Sequence, residues 1–149
     1  MSQQTKPLKQ PVSVLVVLHD GTGNILLIER ADRPNFWQSV TGSIEAGETL
    51  AATARREVAE ETGIRLAENQ LHNWQQSRQY EIYLHWRHRY PPGITQNTEH
   101  IFSACIRRDT PVRLSAEHTR YQWLAAAAAA DLVFSPSNRQ AILDLAQRV

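Results

Sequence analysis

The sequence predicts an α/β (α+β) sandwich built on a mixed β-sheet, and three observations predict it. Apolar, β-branched runs at residues 12–18, 25–30 and 101–106 read as strands. Helical patterns open at residue 49 and again at residue 137, with strands between them rather than in one block. A length of 149 residues suits one domain with a substantial core. One domain over residues 1–149 is therefore expected, with the polar residues 1–10 flexible ahead of the first strand.

Pro11 leads into Val12-Ser-Val-Leu-Val-Val-Leu18, too apolar for a half-exposed edge and so a well-buried strand. Residues 19–24, His-Asp-Gly-Thr-Gly-Asn, form the turn of a hairpin whose second strand is 25–30. A loop at 31–35 carries Asp32 and Pro34, and a short strand at 36–41 delivers the chain to Gly42. Thr49 is a hydroxyl N-cap for the next helix, Gly63 ends it in the left-handed conformation, and Leu50, Ala54 and Val58 form its core stripe.

Residues 71–83 and 84–90 read as strands dense in aromatics and arginines, broken by Pro91-Pro92-Gly93, and 97–100 leads into the strand at 101–106. Residues 107–119 are mostly loop, and a short strand at 121–124 feeds the alanine run 125–130, a helix by propensity. Ser135 and Pro136 read as N-cap and first position of a final helix reaching about Arg148, with Ile142, Leu143 and Leu145 buried.

Sixteen Lys and Arg against fifteen Asp and Glu give a net charge of +1, so there is no broad basic field for nucleic acid or an anionic membrane. An anionic ligand must be met locally. The single cysteine, Cys105, excludes an internal disulfide and reads as a buried thiol in its apolar strand. No apolar run is long enough to span a bilayer and the start has no signal core, so a cytoplasmic protein is expected.

The chemistry concentrates between Gly42 and Ile64. Glu57, Glu60 and Glu61 stand at i, i+3 and i+4 and project toward one volume. Their like charges repel near a helix C-terminus, where the macrodipole already disfavours anions. A solvated acidic face is the ordinary explanation of charged helix residues; this clustering instead asks for a cation, and oxygen ligands suit a divalent metal.

The spacing is Gly42, five residues, Glu48, seven residues, Arg56-Glu57-Val58, one residue, Glu60-Glu61, one residue, Gly63-Ile64. It resembles the Nudix box at all nine specified positions. With average residue usage, a chance match is on the order of one in a hundred million per window. The resemblance implies a Nudix hydrolase, an α/β/α sandwich that uses Mg2+ to cleave a nucleoside diphosphate linked to another moiety. By the family pattern, Glu57 and Glu61 are metal ligands, the Gly42 carbonyl completes the metal shell, and Glu60 is a further ligand or part of the base network. Glu48 pairs with Arg56 to hold loop against helix. Which glutamate takes the proton from water is left open.

Beyond the box, residues 36–43, 87–99, 117–118 with 121–124, and 137–141 resemble the branch of the family that splits dihydroneopterin triphosphate into a monophosphate and pyrophosphate, a step toward folate. That resemblance implies Glu117 as a further acidic residue at the metal site and Lys9 and Arg30 as phosphate contacts. Thr41, Tyr80, Glu81, Ile82, Tyr83 and Ser135 would line the substrate pocket. On chemistry alone, Arg30 equally suits an ion pair with Asp32 and Ser135 a helix cap. Strand alternation lets at most one of Tyr80 and Tyr83 face a ligand.

His85 and His88, an odd separation on a strand, fall on opposite faces and make no metal site. The interleaved aromatics and arginines from Trp74 to Tyr90 fit a small stacked heterocycle bearing phosphates better than nucleic acid. The expected ligand is a pterin or nucleoside triphosphate, with no nucleic-acid or membrane partner and an open oligomeric state. Two rival readings remain: a general nucleoside triphosphate pyrophosphatase of the same family, and a ligand-binding module without turnover.

Overall fold

The computed structural model describes residues 7–148. Residues 1–6 of the expected flexible segment lie outside them; residues 7–10 have no regular structure, and Lys9 N donates to Arg89 O at 2.8 Å. Seven strands follow: β1 (Val12–His19), β2 (Asn24–Arg30), β3 (Trp37–Gln38), β4 (Val40–Ser43), β5 (Leu71–Glu81), β6 (Gln96–Cys105) and β7 (His118–Ala125). The helices are α1 (Leu50–Thr62), α2 (Ala126–Leu132) and α3 (Pro136–Arg148).

The sheet is mixed and splits around the first hairpin. β1 lies between β4, antiparallel, and β6, parallel, while β2 lies between β3 and β7, both antiparallel. The two halves meet where His19 pairs with Ile25. Alternation then assigns β1 to two layers. Val14, Val16 and Leu18 pack with Ala54 and Val58 of α1; Leu15 and Val17 pack with Ala129, Ala130, Ala141, Ile142 and Leu145 of α2 and α3. Helices thus cover both faces of the sheet, which is why the middle of β1, residues 14–18, is apolar without interruption.

α1 forms where its local signals place it. The Thr49 hydroxyl accepts from Ala52 N at 3.1 Å, and Gly63, at φ 74°, closes the helix by donating to Ala59 O at 2.9 Å. Ala54 and Val58 are fully buried and Leu50 packs against their cluster. Ser135 caps α3, its hydroxyl accepting from Asn138 N at 3.3 Å.

Several expectations are corrected. The segment read as one strand at 36–41 is two short strands, β3 and β4, that pair with β2 and β1 respectively. The strand expected at 71–83 stops at Glu81, and residues 84–90 are not a strand: Leu84–Arg89 is a 3-10 helix. β6 begins at Gln96, opposite Glu81; Ile82 N still donates across to Thr95 O at 2.8 Å, and the residues after it have no strand beside them. They bond locally instead, Trp86 N to Tyr83 O at 2.9 Å and Tyr90 N to Arg87 O at 3.1 Å. The opposite-face argument for His85 and His88 therefore does not hold.

Cys105 is exposed rather than buried, because it is the last residue of β6 and pairs with His19 beside the turn. Leu143 is 38% exposed, one residue and about 100° from the buried Ile142. No described helix is long and apolar enough to cross a membrane.

Candidate active site

Arg56 is the hub that fixes the loop after β4 against α1. Its guanidinium donates to both Glu48 oxygens, at 2.7 and 2.9 Å, and to the Ser43 carbonyl at 3.0 Å. It also reaches Glu57 at 2.5 Å and Glu60 at 3.3 Å. The Arg56 hydrogen bonds, with Thr53 and Glu45 N adding theirs, hold the Glu48 carboxyl down at about 2. The expected structural pairing of Glu48 with Arg56 is what the structure shows.

The acids it leaves are not equivalent. Glu60 is more than half exposed at its side chain, whereas Glu61 is 6% exposed and pushed well above the usual carboxylate range by burial, then by Glu57 and Glu117. Glu57 is raised by burial and by Glu60, with Arg56 opposing. Glu61 Oε1 is buried and has no hydrogen-bond partner among the described residues. Its neighbour His118 Nε2, 3.7 Å away, is no ion-pair partner near neutrality, since burial and Arg30 depress the imidazole to about 4.

The Glu57 carboxylate occupies the space a side chain at Gly42 would need. A hard divalent cation fits these residues: the donors are all oxygens, one buried carboxylate oxygen is unsatisfied, and the position beside Glu57 admits only glycine. Among the described residues, no three His, Cys, Asp or Glu side chains are already drawn together tightly enough to hold an ion. Arg56 engages Glu57 and Glu60, and the Glu57 and Glu61 carboxylates face each other.

The acids form one wall of a cavity of about 950 Å³. Gly42, Glu57, Glu60, Glu61 and Glu117 line it together, although Glu117 comes from the loop before β7. Lys9, Arg30 and Thr41 line it beside them. Burial and Arg89 lower the Lys9 pKa, Glu57 and Glu117 opposing, so cations and acids share one region. Arg30 pairs with Asp32 at 2.8 and 2.9 Å and also lies over the Trp86 ring, 4.5 Å from its centroid. Ion pair and cavity wall coexist.

Tyr80, Glu81, Ile82, Tyr83 and Ser135 complete the predicted set on the walls, while Glu48 and Gly63 stand off them. Both tyrosines line the cavity, contrary to the alternation argument, because β5 ends at Glu81 and the turn into the 3-10 helix brings Tyr83 back. Tyr83 stacks on Trp86 with centroids 5.5 Å apart, and Trp86 meets the Phe134 ring edge-on at 5.8 Å.

Trp86, Arg89 and Tyr90 also line the cavity; the sequence marks them only as part of the aromatic and arginine stretch 74–90, without individual roles. Phe134, Gln38 and Glu99 line it too and have no role assigned from the sequence. Phe134, between α2 and α3, carries no local signal.

Comparison with known proteins gives a consistent result. The model of the NUDIX domain matches residues 9–145. The chain is 47% identical over 140 residues to the dihydroneopterin triphosphate diphosphatase of Escherichia coli K12, covering 92% of this chain and 93% of that one. It is 38% identical over 137 residues to the Haemophilus influenzae protein of the same name, covering 90% and 86%. The solved structure of the E. coli dihydroneopterin triphosphate pyrophosphohydrolase superposes with a TM-score of 0.89 at 45% identity, covering 97% of this chain and all of that one.

Proposed function

The chain belongs to the NUDIX family, and from that premise we propose that it hydrolyses 7,8-dihydroneopterin 3'-triphosphate to dihydroneopterin monophosphate and pyrophosphate, with Mg2+ as its metal. The observation that carries this reading is the single cavity in which an acidic wall, a cationic rim and an aromatic wall meet. A triphosphate requires the first two and a planar heterocycle the third. The reaction breaks the bond between the α-phosphorus and its bridging oxygen: water adds to the α-phosphate and pyrophosphate leaves. It would serve an early step toward folate, in the cytoplasm, with residues 1–149 acting as one domain.

Glu57, Glu61, Glu117 and the Gly42 carbonyl would hold the divalent ion, which when bound neutralises phosphate charge and makes water more acidic. Arg56 holds the loop and helix in register. A carboxylate of the Glu57, Glu60, Glu61 group accepts the proton of the attacking water. Lys9 and Arg30 balance the outer phosphates, and Tyr83 with Trp86 offers a stacking face to the pterin.

The test compares kcat/KM for dihydroneopterin triphosphate with that for each common dNTP in the presence of Mg2+. The pterin substrate is expected to lead. A large preference for any dNTP would return the protein to the general pyrophosphatase class, and no pyrophosphate release from any of them would make it a binding module.

A further inference from the structure

The inward-facing residues of β6 alternate Asn97, Glu99, Ile101 and Ser103. Ile101 belongs to the apolar layer beneath α2 and α3, yet the same face carries a carboxylate at Glu99, 3% exposed, and an amide at Asn97, 1% exposed. The sheet itself does not need them, since apolar side chains there would extend the layer, and a buried charge is costly unless paired. Among the described residues the Glu99 side chain accepts one hydrogen bond, from Ser137 Oγ to Oε1 at 2.7 Å, and its second oxygen accepts none. Burial pushes the Glu99 carboxyl up, with Ser137 and Arg78 opposing. The Arg78 guanidinium is itself bound to the Ser137 carbonyl at 3.1 Å and to Asp144 at 2.9 Å.

Glu99 lines the cavity, and register fixes where. Ser13 of β1 pairs with Ser43 of β4 on one side and with Glu99 of β6 on the other, so the three side chains stand in a row on one face. Two strand spacings, roughly 10 Å, separate Glu99 from Ser43, the neighbour of Gly42. A ligand with its phosphates at the acidic wall and long enough to span that distance can reach Glu99, which lines the same cavity, with its other end. There Asn97 Oδ1 is buried with no partner among the described residues, while Asn97 Nδ2 donates to the Tyr80 hydroxyl at 3.1 Å.

We propose that Glu99 is the residue that selects the base: its carboxylate accepts two parallel hydrogen bonds from the ring N–H and exocyclic amino group of a 2-amino-4-oxopyrimidine edge. This rests on the pterin triphosphate reading above, because a pterin presents that edge. Guanine presents the same donor pair. Adenine sets a ring nitrogen lone pair beside its amino group, which a carboxylate repels. Ser137 holds one carboxylate oxygen in place, so the fork is oriented before the ligand arrives. Tying α3 to β6 through Ser137 would alone explain a hydroxyl acceptor at this position, but would affect all ligands equally.

Equilibrium binding of dihydroneopterin triphosphate, dGTP and dATP, with Ca2+ replacing Mg2+ to suppress turnover, gives three Kd values for the wild type and for Glu99→Gln. The preference of the wild type for the first two over dATP is expected to fall on the order of 30-fold in the variant, since the amide places a donor against the ligand's donors. An unchanged preference, or a wild type with none for the shared edge, overturns the proposal. Should Glu99→Gln not fold, Ser137→Ala reads the same ratio: a smaller loss supports the proposal and an unchanged ratio overturns it. Absence of pterin triphosphate turnover with Mg2+ would sink the proposed function alone, while the binding preferences still decide Glu99.

Discussion

At the scale of single residues, the site depends on a carboxylate that is uncomfortable where it stands. Glu61 is buried, faces Glu57 and has one oxygen without a hydrogen-bond partner among the described residues. Glu61→Gln keeps the shape and removes both the charge proposed to hold the metal and the repulsion from Glu57. Activity with Mg2+ is expected to fall on the order of 100-fold, while the melting temperature measured without metal stays level or rises. A variant with an unchanged rate would remove Glu61 from the metal site. The three helix glutamates were legible because their spacing is local. Trp86 and Phe134 were not, because each reaches the cavity through the path of the chain around it rather than through its own neighbours in sequence.

At the scale of elements, α1 carries its own instructions. Its cap, apolar stripe and terminal glycine lie within fifteen residues, 49–63, so its bounds followed from the sequence. Thr49→Ala removes the acceptor for Ala52 N and should cost about 1 kcal/mol in urea unfolding with an unaltered m-value. Gly63→Ala should cost about 1–2 kcal/mol, because its φ is positive and a Cβ would sit 3.1 Å from the Arg113 Cβ. Equal stability for both variants and the wild type would show that tertiary packing, not the caps, sets the ends of α1. The segment 84–90 shows the opposite case. A strand exists only if another strand is beside it, and composition could not reveal that β6 starts at Gln96. Cys105 shows the same limit, since its strand is legible in the sequence while its place at the end of that strand decides its exposure.

At the scale of the whole molecule, the half of the sheet built on β2 is held by a buried polar network as well as by apolar layers. Glu29 of β2 accepts from Arg120 of β7 at 2.7 and 2.9 Å, from Thr119 at 3.0 Å and from Asn35 N at 2.8 Å. The Arg120 hydrogen bonds, followed by that of Asn35, hold the Glu29 carboxyl down at about 2. A depressed folded-state pKa stabilises fully above the unfolded value of about 4.3, and that contribution is lost as pH falls from there through the folded value. Glu29→Gln is therefore expected to melt below the wild type at pH 7, with the gap narrowing toward pH 3. A gap of constant size at both pH values would mean that the charge of Glu29 does not contribute. The sandwich itself was legible from the order of strands and helices. The split of the sheet was not, because strand order is set by pairings between segments far apart in the chain.

The parallel pairing of β1 with β6 has a kinetic side. It joins Val12–His19 to Gln96–Cys105, the slow, non-local closure that folding must wait for. Gly42 is placed by β1, Glu99 by β6 and Tyr80 by β5, which hangs on β6. No early-formed fragment, not even the hairpin with α1 attached, assembles both ends of the substrate cavity. In refolding, recovery of turnover should therefore coincide with the slowest packing phase rather than with the appearance of helix, so that the enzyme reports on its own completion.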